Sequence, residues 1–211
     1  MKKIPRLITF LSILFCLHVR ADSNLVPNPD FNDPQNPLEG WRTYFPWEDE
    51  WYAQNGKYVK PATEQGRTCA LLDFPGSIAS NQAGKIESAF LKIEPGATYD
   101  VELDCIPGNM FMKIFAELWT TDPNPSIKPD KYRVPAESTH PALVMCYRSQ
   151  FTDPAGPPDR WITVKREVKV PKTVFILGKP QSPEYLTVKV VVYSTTDGKA
   201  YVTNYQVTKI R

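Results

Sequence analysis

The chain is poor in the features that would indicate a helical or disulfide-rich protein. No amphipathic stretch with helical period reaches ten residues, which excludes a helical bundle. Four cysteines in 211 residues are too few for a disulfide scaffold. Three of them, Cys69, Cys105 and Cys146, follow residue 21 and lie in apolar segments. The sequence therefore leaves two states open, one bridge with a spare thiol or three buried thiols.

Histidine and long apolar runs are also scarce. Of two histidines, only His140 follows residue 21, in a proline-rich segment without a recognisable nucleophile turn. This gives little support to Ser-His-Asp catalysis or to a histidine metal site. After residue 21 no segment is apolar for long enough to cross a bilayer, so we expect no membrane insertion.

Residues 1–21 have the pattern of a secretory signal peptide. Lys2, Lys3 and Arg6 precede an apolar run at 7–17, and Val19-Arg20-Ala21 offers small residues for cleavage. We expect cleavage near Ala21 and a secreted protein, periplasmic or extracellular. Without the four basic residues of the signal, 21 basic and 23 acidic side chains remain, a net charge of about −2. That balance does not favour nucleic acid.

Short β-rich runs separated by proline and glycine fill the rest of the chain. The alternation of apolar and polar residues predicts an all-β protein, a sandwich or a barrel. With no internal repeat and no long linker, residues 22–211 are predicted to form a single domain. The predicted strands are 24–26, 41–45, 51–60, 68–74, 85–93, 98–106, 110–120, 142–150, 161–168, 186–194 and 200–210.

The segment 110–119 predicts a strand with two different faces. Alternate residues from Met110 to Leu118 are apolar, whereas the other face carries aromatic and charged residues: Phe111, Lys113, Phe115, Glu117 and Trp119. Successive side chains of a strand point to opposite sides of a sheet. Rings beside charged hydrogen-bonding groups suit a sugar. The alternative is that a loop or another domain covers them.

Segment 44–58 is a second concentration of rings, close to three acids at 48–50. Ligand sites are largely apolar with a few placed polar groups, but a capping loop that buries its own rings is equally compatible. We predict that the ligand-binding residues come from both segments: Trp47, Trp51, Tyr52, Lys113, Phe115, Glu117 and Trp119.

Four segments, taken in order, resemble one family. Residues 24–31 read Asn-Leu-Val-Pro-Asn-Pro-Asp-Phe and precede Gly40-Trp41; residues 95–99 read Pro-Gly-Ala-Thr-Tyr. Trp161 precedes Val-Lys-Val-Pro at 168–171, and the chain ends on a strand-like run at 200–207. This series resembles the jelly-roll carbohydrate-binding modules attached to xylanases and glucanases, which have the galactose-binding-like sandwich. The match touches most of residues 22–211.

The resemblance implies an antiparallel two-sheet jelly-roll β-sandwich with Trp41 in its core. It also implies binding of a polysaccharide or oligosaccharide without catalysis. Many such modules hold a structural calcium ion, but Asn32 and Thr203 stand where the family often has Glu and Asp. Asp30 is the carboxylate that remains there. We therefore expect no cofactor and keep calcium at Asp30 as an alternative.

Three hypotheses for function follow. The first is an exported, non-catalytic carbohydrate-binding protein. The second uses the same sandwich as a structural or interaction module against a cell-surface or secreted protein. The third is a small glycoside hydrolase, which needs only two acids about 5–10 Å apart, with Glu117 as one of them.

Overall fold

The computed structural model describes residues 23–43, 56–80, 83–124, 142–151 and 157–211. Within these ranges the only α-helix, α1 (Gly76–Ala79), is a single turn. The strands in chain order are β1 (Trp41–Arg42), β2 (Val59–Glu64), β3 (Arg67–Phe74), β4 (Gly84–Ser88), β5 (Leu91–Lys92), β6 (Thr98–Ile106), β7 (Phe111–Thr121), β8 (Leu143–Phe151), β9 (Ile162–Lys169), β10 (Val174–Ile176), β11 (Lys179–Gln181), β12 (Tyr185–Tyr193) and β13 (Gly198–Lys209).

The strands form two large antiparallel sheets. Sheet 1 has the order β1-β4-β12-β7-β8, with β5 also paired to β12, and sheet 2 has the order β2-β3-β13-β6-β9. Strands β10 and β11 pair only with each other. The chain passes repeatedly from one sheet to the other, as from β3 to β4 and from β6 to β7, so that β12 and β13 complete their sheets last. The predicted all-β, two-sheet sandwich of jelly-roll type is confirmed.

The core lies between the sheets, and the period-two pattern decides which residues enter it. From β7 the buried residues are Met112, Ile114, Ala116 and Leu118, and from β12 they are Leu186, Val188, Val190 and Val192. Sheet 2 contributes alternate residues of β6, among them Val101 and Leu103. Burying one such aliphatic side chain stabilises the fold by roughly 1.5–3 kcal/mol. The predicted core face of segment 110–119 is confirmed.

An aromatic cluster closes the core beside the first described residues. Trp41 is 8% exposed, and its ring centroid lies 4.3 Å from that of Tyr205 and 4.8 Å from that of Phe31. The indole Nε1 donates a hydrogen bond to the Asn28 carbonyl at 3.1 Å. The prediction that Trp41 belongs to the core is confirmed.

The predicted strands at 24–26 and 85–93 differ from the structure. At 24–26 the Asn24 side chain takes the place of strand pairing, since its amide donates to the Tyr205 carbonyl and its oxygen accepts from the Val207 N–H. Pro27 and Pro29 have no N–H with which to extend a ladder. Segment 85–93 breaks after Ser88 into β4 and β5.

The three described cysteines are free thiols. Cys69 and Cys105 are buried, and Cys146 is partly buried with its Sγ 3.2 Å from the Leu118 carbonyl oxygen. Of the two states that the sequence left open, the structure has the one without a bridge. Burial raises the pKa of Cys69 and of Cys146 to about 11 and that of Cys105 to about 12.

None of the described helices is both long and apolar enough to span a membrane.

Candidate functional site

The outer face of sheet 1 carries the polar and aromatic residues that the core excludes. Register places them in rows across the strands: Tyr193 lies opposite Phe111, Val191 opposite Lys113, and Thr187 opposite Glu117. Tyr185 lies opposite Trp119. The face therefore has three zones: an open end at Tyr193, a charged middle, and a closed end at Trp119.

The charged middle is a line of alternating charges that crosses five strands. The line consists of Arg42 (β1), Glu87 (β4), Lys189 (β12), Glu117 (β7) and Arg148 (β8). Successive N–O distances along it are 3.0, 3.5, 3.1 and 2.7 Å. The side chains of Glu87 and Glu117 are fully buried, whereas that of Arg148 is 42% exposed. We call this set the charge line.

Neighbouring opposite charges keep Glu87 and Lys189 of the charge line ionised. Burial raises the pKa of Glu87, but Arg42, Lys189 and the Thr187 hydroxyl lower it more, so the net shift is downward. For Lys189, burial lowers the pKa, but Glu87 and Glu117 raise it more. Each group therefore keeps its charge at neutral pH because its neighbours carry the opposite one.

The closed end contains Trp119, which the sequence predicted as a ligand residue. It lies on the predicted second face but is 2% exposed, packed with Phe90 and Leu143. The Phe90 ring meets it edge-on at 5.4 Å between centroids. Its Nε1 donates a hydrogen bond to Thr187 Oγ1 at 3.0 Å. In this structure the Trp119 ring is covered and cannot stack on a ligand.

The other predicted residues of β7 differ in their access to a ligand. Glu117 is fully buried, and both its oxygens contact cations of the charge line. Phe115 is partly exposed, and the Arg148 guanidinium carbon lies 5.0 Å from its ring centroid. Lys113 is partly exposed at the open end. Trp47, Trp51 and Tyr52 lie outside the described residues.

The open end presents two exposed rings that the predicted ligand set left out. Phe111 is 49% and Tyr193 37% exposed, with ring centroids 6.3 Å apart. The Lys113 ammonium lies 5.3 Å from the first centroid and 6.0 Å from the second. Phe111 belongs to the alternation that predicted the second face. Tyr193 continues the outward alternation of β12, but its place beside Phe111 required the strand register.

A pocket of about 390 Å³ opens beside these rings. Its volume lies within the range of about 300–1,000 Å³ that is usual for small-molecule sites. The rings supply its apolar wall, and hydroxyl and amide side chains supply the rest. The lining residues are Ser80, Asn109, Phe111, Tyr193, Ser194, Thr195 and Thr196.

The hydroxyl-bearing turn of this pocket is held in place by neighbouring elements. The Asn109 amide donates to the Asp197 carbonyl at 2.9 Å, and the Asp197 carboxylate accepts the Gly76 N–H at 2.9 Å. A Cβ at Gly76 would lie 2.7 Å from the backbone of Thr195 and Thr196, so only glycine permits this approach. The pocket wall is thus formed before any ligand arrives.

The residues near the expected calcium position make other contacts. The Thr203 hydroxyl donates to the Thr68 carbonyl at 2.7 Å, and the Asn28 side-chain oxygen accepts the Asn32 N–H at 2.9 Å. Among the described ranges, no group of three or more His, Cys, Asp or Glu side chains could hold a metal ion. Asp30 therefore belongs to no such group among the described residues, and calcium at Asp30 stays a prediction.

Comparisons with known proteins agree with this architecture. No family model and no curated protein matches the chain. Among solved structures it is similar to a cyclase from Fischerella sp. TAU, at 14% identity and a TM-score of 0.50 over 88% of this chain and 96% of that one. At this identity the likeness shows the fold alone.

Carbohydrate-binding modules are also among the solved structures that the chain resembles. One is a family 61 module in complex with β-1,4-galactotriose, 12% identical over 89% of this chain and 99% of that one, with a TM-score of 0.46. Another is a family 16 module, 12% identical over 87% and 99%, with a TM-score of 0.47.

Proposed function

We propose that this protein binds carbohydrate at the open end of the outer face of sheet 1 and does not cleave it. The observation that carries the proposal is the exposed pair Phe111 and Tyr193 beside a pocket rich in hydroxyl groups. An aromatic face can stack on the apolar face of a sugar ring, while side-chain hydroxyls exchange hydrogen bonds with those of the sugar.

The rigid surroundings of the pocket support this proposal. Register on the central strands β7 and β12 holds both rings, and the Asn109 and Asp197 hydrogen bonds hold the turn that carries Ser194 and Thr196. A site that is already ordered loses less conformational entropy when a ligand binds. The smaller loss of conformational entropy matters most for a ligand that interacts weakly, such as a sugar.

The electrostatics of the charge line support binding rather than hydrolysis. A glycosidase needs one carboxylic acid that stays protonated until it reaches the leaving group, which requires a raised pKa. Glu87 has a lowered pKa, and both Glu87 and Glu117 are buried against cations. The charge line acts as a rigid support for the face, in which Glu87 stays ionised.

We propose two extensions that lie outside the described residues. Segment 44–55 follows β1 after Thr43, and Arg42 of β1 belongs to the outer face of sheet 1, so Trp47, Trp51 and Tyr52 are proposed to lengthen the binding surface. The pattern of residues 1–21 supports export before the protein meets a polysaccharide or oligosaccharide.

Calcium at Asp30 is retained as a proposal on the family resemblance alone.

Affinity electrophoresis against a panel of soluble polysaccharides tests the proposed function. At least one glycan should slow the protein, and replacing Phe111 and Tyr193 by Ala should weaken binding by roughly 1–3 kcal/mol for each ring, by analogy with other stacking losses. Phe175→Ala is the matched control, because that ring is 72% exposed but lies on the β10–β11 hairpin.

Unfolding temperature and circular dichroism establish that each variant is folded. Glycan binding that survives the double substitution, or that Phe175→Ala weakens equally, would contradict the proposed site. A panel in which no glycan slows the protein would contradict the function.

The β10–β11 hairpin favours a second candidate function, a protein-interaction module. Leu177 and Gly178 at its tip both have positive φ, 50° and 76°, as in a type I′ turn. A left-handed leucine costs roughly 1–2 kcal/mol, yet this one is 69% exposed and sits close to the exposed Phe175. The hairpin thus has an exposed apolar tip in spite of the conformational cost of Leu177. Such a tip suits contact with another protein.

A photo-cross-linking residue at position 177 tests the second function. Cross-links to one defined secreted or cell-surface protein, abolished by an excess of unlabelled wild type, would support it. Cross-links that the competitor leaves unchanged would contradict it.

A further inference from the structure

We propose that the glycan bound at the open end is acidic, with a carboxylate or sulfate group paired to Lys113. This inference rests on the proposed function and adds the chemical class of the ligand. Its basis is the position of the Lys113 ammonium group beside the two exposed rings.

Lys113 differs from the three cations of the charge line in what it contacts. Arg42, Lys189 and Arg148 each lie within 3.5 Å of a charge-line carboxylate. Among the described residues, the contacts of the Lys113 ammonium are with the rings of Phe111 and Tyr193. Ring faces attract a cation but leave its charge without a counter-ion.

The geometry suits an anionic substituent at the edge of a sugar ring. In a uronic acid the carboxylate projects from the ring edge, and a sulfate ester does the same. A sugar stacked on Phe111 or Tyr193 would bring that edge towards the ammonium, which lies within 6.0 Å of both ring centroids. A charge-assisted contact of this kind is stronger than a hydrogen bond between neutral groups.

Isothermal titration calorimetry with matched acidic and neutral polysaccharides tests the proposal. Polygalacturonate carries carboxylates and dextran sulfate carries sulfate esters; β-1,4-galactan and dextran are their neutral counterparts. We expect an acidic member to bind about tenfold more tightly than its neutral counterpart, with an affinity that falls as salt rises. The comparison of the two acidic polymers distinguishes carboxylate from sulfate recognition.

Substitutions of Lys113 separate a specific contact from general attraction. Lys113→Gln should weaken acidic binding about tenfold and leave neutral binding unchanged, whereas Lys113→Arg should retain most of the acidic preference. Lys60→Gln is the matched control, since Lys60 is an exposed lysine on β2 of sheet 2. Equal losses for Lys113→Gln and Lys60→Gln would overturn the inference.

The outcomes distinguish this inference from the proposed function. Binding of neutral glycans as tightly as acidic ones, still dependent on Phe111 and Tyr193, would overturn the acidic preference and leave the proposed function standing. Absence of binding to every polysaccharide would overturn both.

Discussion

Replacing Lys189 by Met tests whether the charge line supports the outer face of sheet 1. The substitution removes the ammonium that lies 3.5 Å from Glu87 Oε2 and 3.1 Å from Glu117 Oε2, and keeps most of the buried side-chain volume. Both carboxylates are fully buried, and within the described ranges each is then left with one arginine to offset its charge. Removing one member of a buried ion pair typically costs about 3–5 kcal/mol.

The two remaining arginines reduce that cost, and we expect the free energy of unfolding to fall by roughly 3 kcal/mol. For a chain of this size the unfolding temperature should fall by about 6–12 °C. Urea unfolding of wild type and variant, followed by tryptophan fluorescence at about pH 7, gives the comparison.

The loss should depend on pH in a defined direction. Arg42 and Lys189 lower the pKa of Glu87 in the folded state against the effect of burial, so its ion pairs stabilise the fold above the ordinary pKa of 4.5 and lose that effect as pH falls through the folded-state value. In Lys189→Met, Glu87 loses one of the two cations that lower its pKa and takes up a proton more readily. The difference between wild type and variant should therefore be smaller near pH 4.5 than near neutral pH.

Lys165→Met is a matched control, because Lys165 also bridges two carboxylates. Its Nζ lies 2.9 Å from Asp100 and 3.8 Å from Glu102, but the side chain is 55% exposed. Solvent screens such a pair, so the loss should be much smaller. A loss for Lys189→Met of less than about 1 kcal/mol, or one that does not change with pH, would refute the role assigned to the charge line.

Two further predictions concern buried groups. Trp119→Ala should lower the free energy of unfolding by roughly 3–5 kcal/mol, because a ring 2% exposed leaves a cavity when it is removed; an unchanged unfolding temperature would show that the ring is not packed as described. Ellman's reagent at mildly alkaline pH should not modify Cys69, Cys105 or Cys146 until the protein is denatured, because their raised pKa values of about 11, 12 and 11 keep the reactive thiolate scarce. Rapid labelling of the native protein would contradict this burial.

The local pattern of the sequence determined which side of each strand enters the core. On β7 the alternation from Met110 to Trp119 separated the core face from the outer face, and the structure keeps that separation. A shift of one residue would have placed Lys113 and Glu117 in the core, at a large desolvation cost. The same reasoning holds for the valines of β12, whereas the core position of Trp41 was predicted from the family resemblance.

Tertiary structure alone decided which outward residues meet. The charge line joins strands far apart in the chain, because β12 pairs with both β4 and β7. Pairing likewise brought Tyr193 to Phe111 at the open end and placed Phe90 over Trp119 at the closed end. The sequence therefore predicted which side chains point outward from the sheet, but it did not predict which of them are exposed to solvent.

The physical reason is that the two features depend on residues at different distances along the chain. The two-residue period of a strand is a property of a few adjacent residues, so it survives in any sheet to which the strand belongs. Neighbours across a sheet are set by pairing order and register, which depend on the packing of the whole sandwich. The pattern of the sequence by itself thus defined an all-β protein and the faces of its strands, while the packed structure decided which outward rings are covered and which stay open to a ligand.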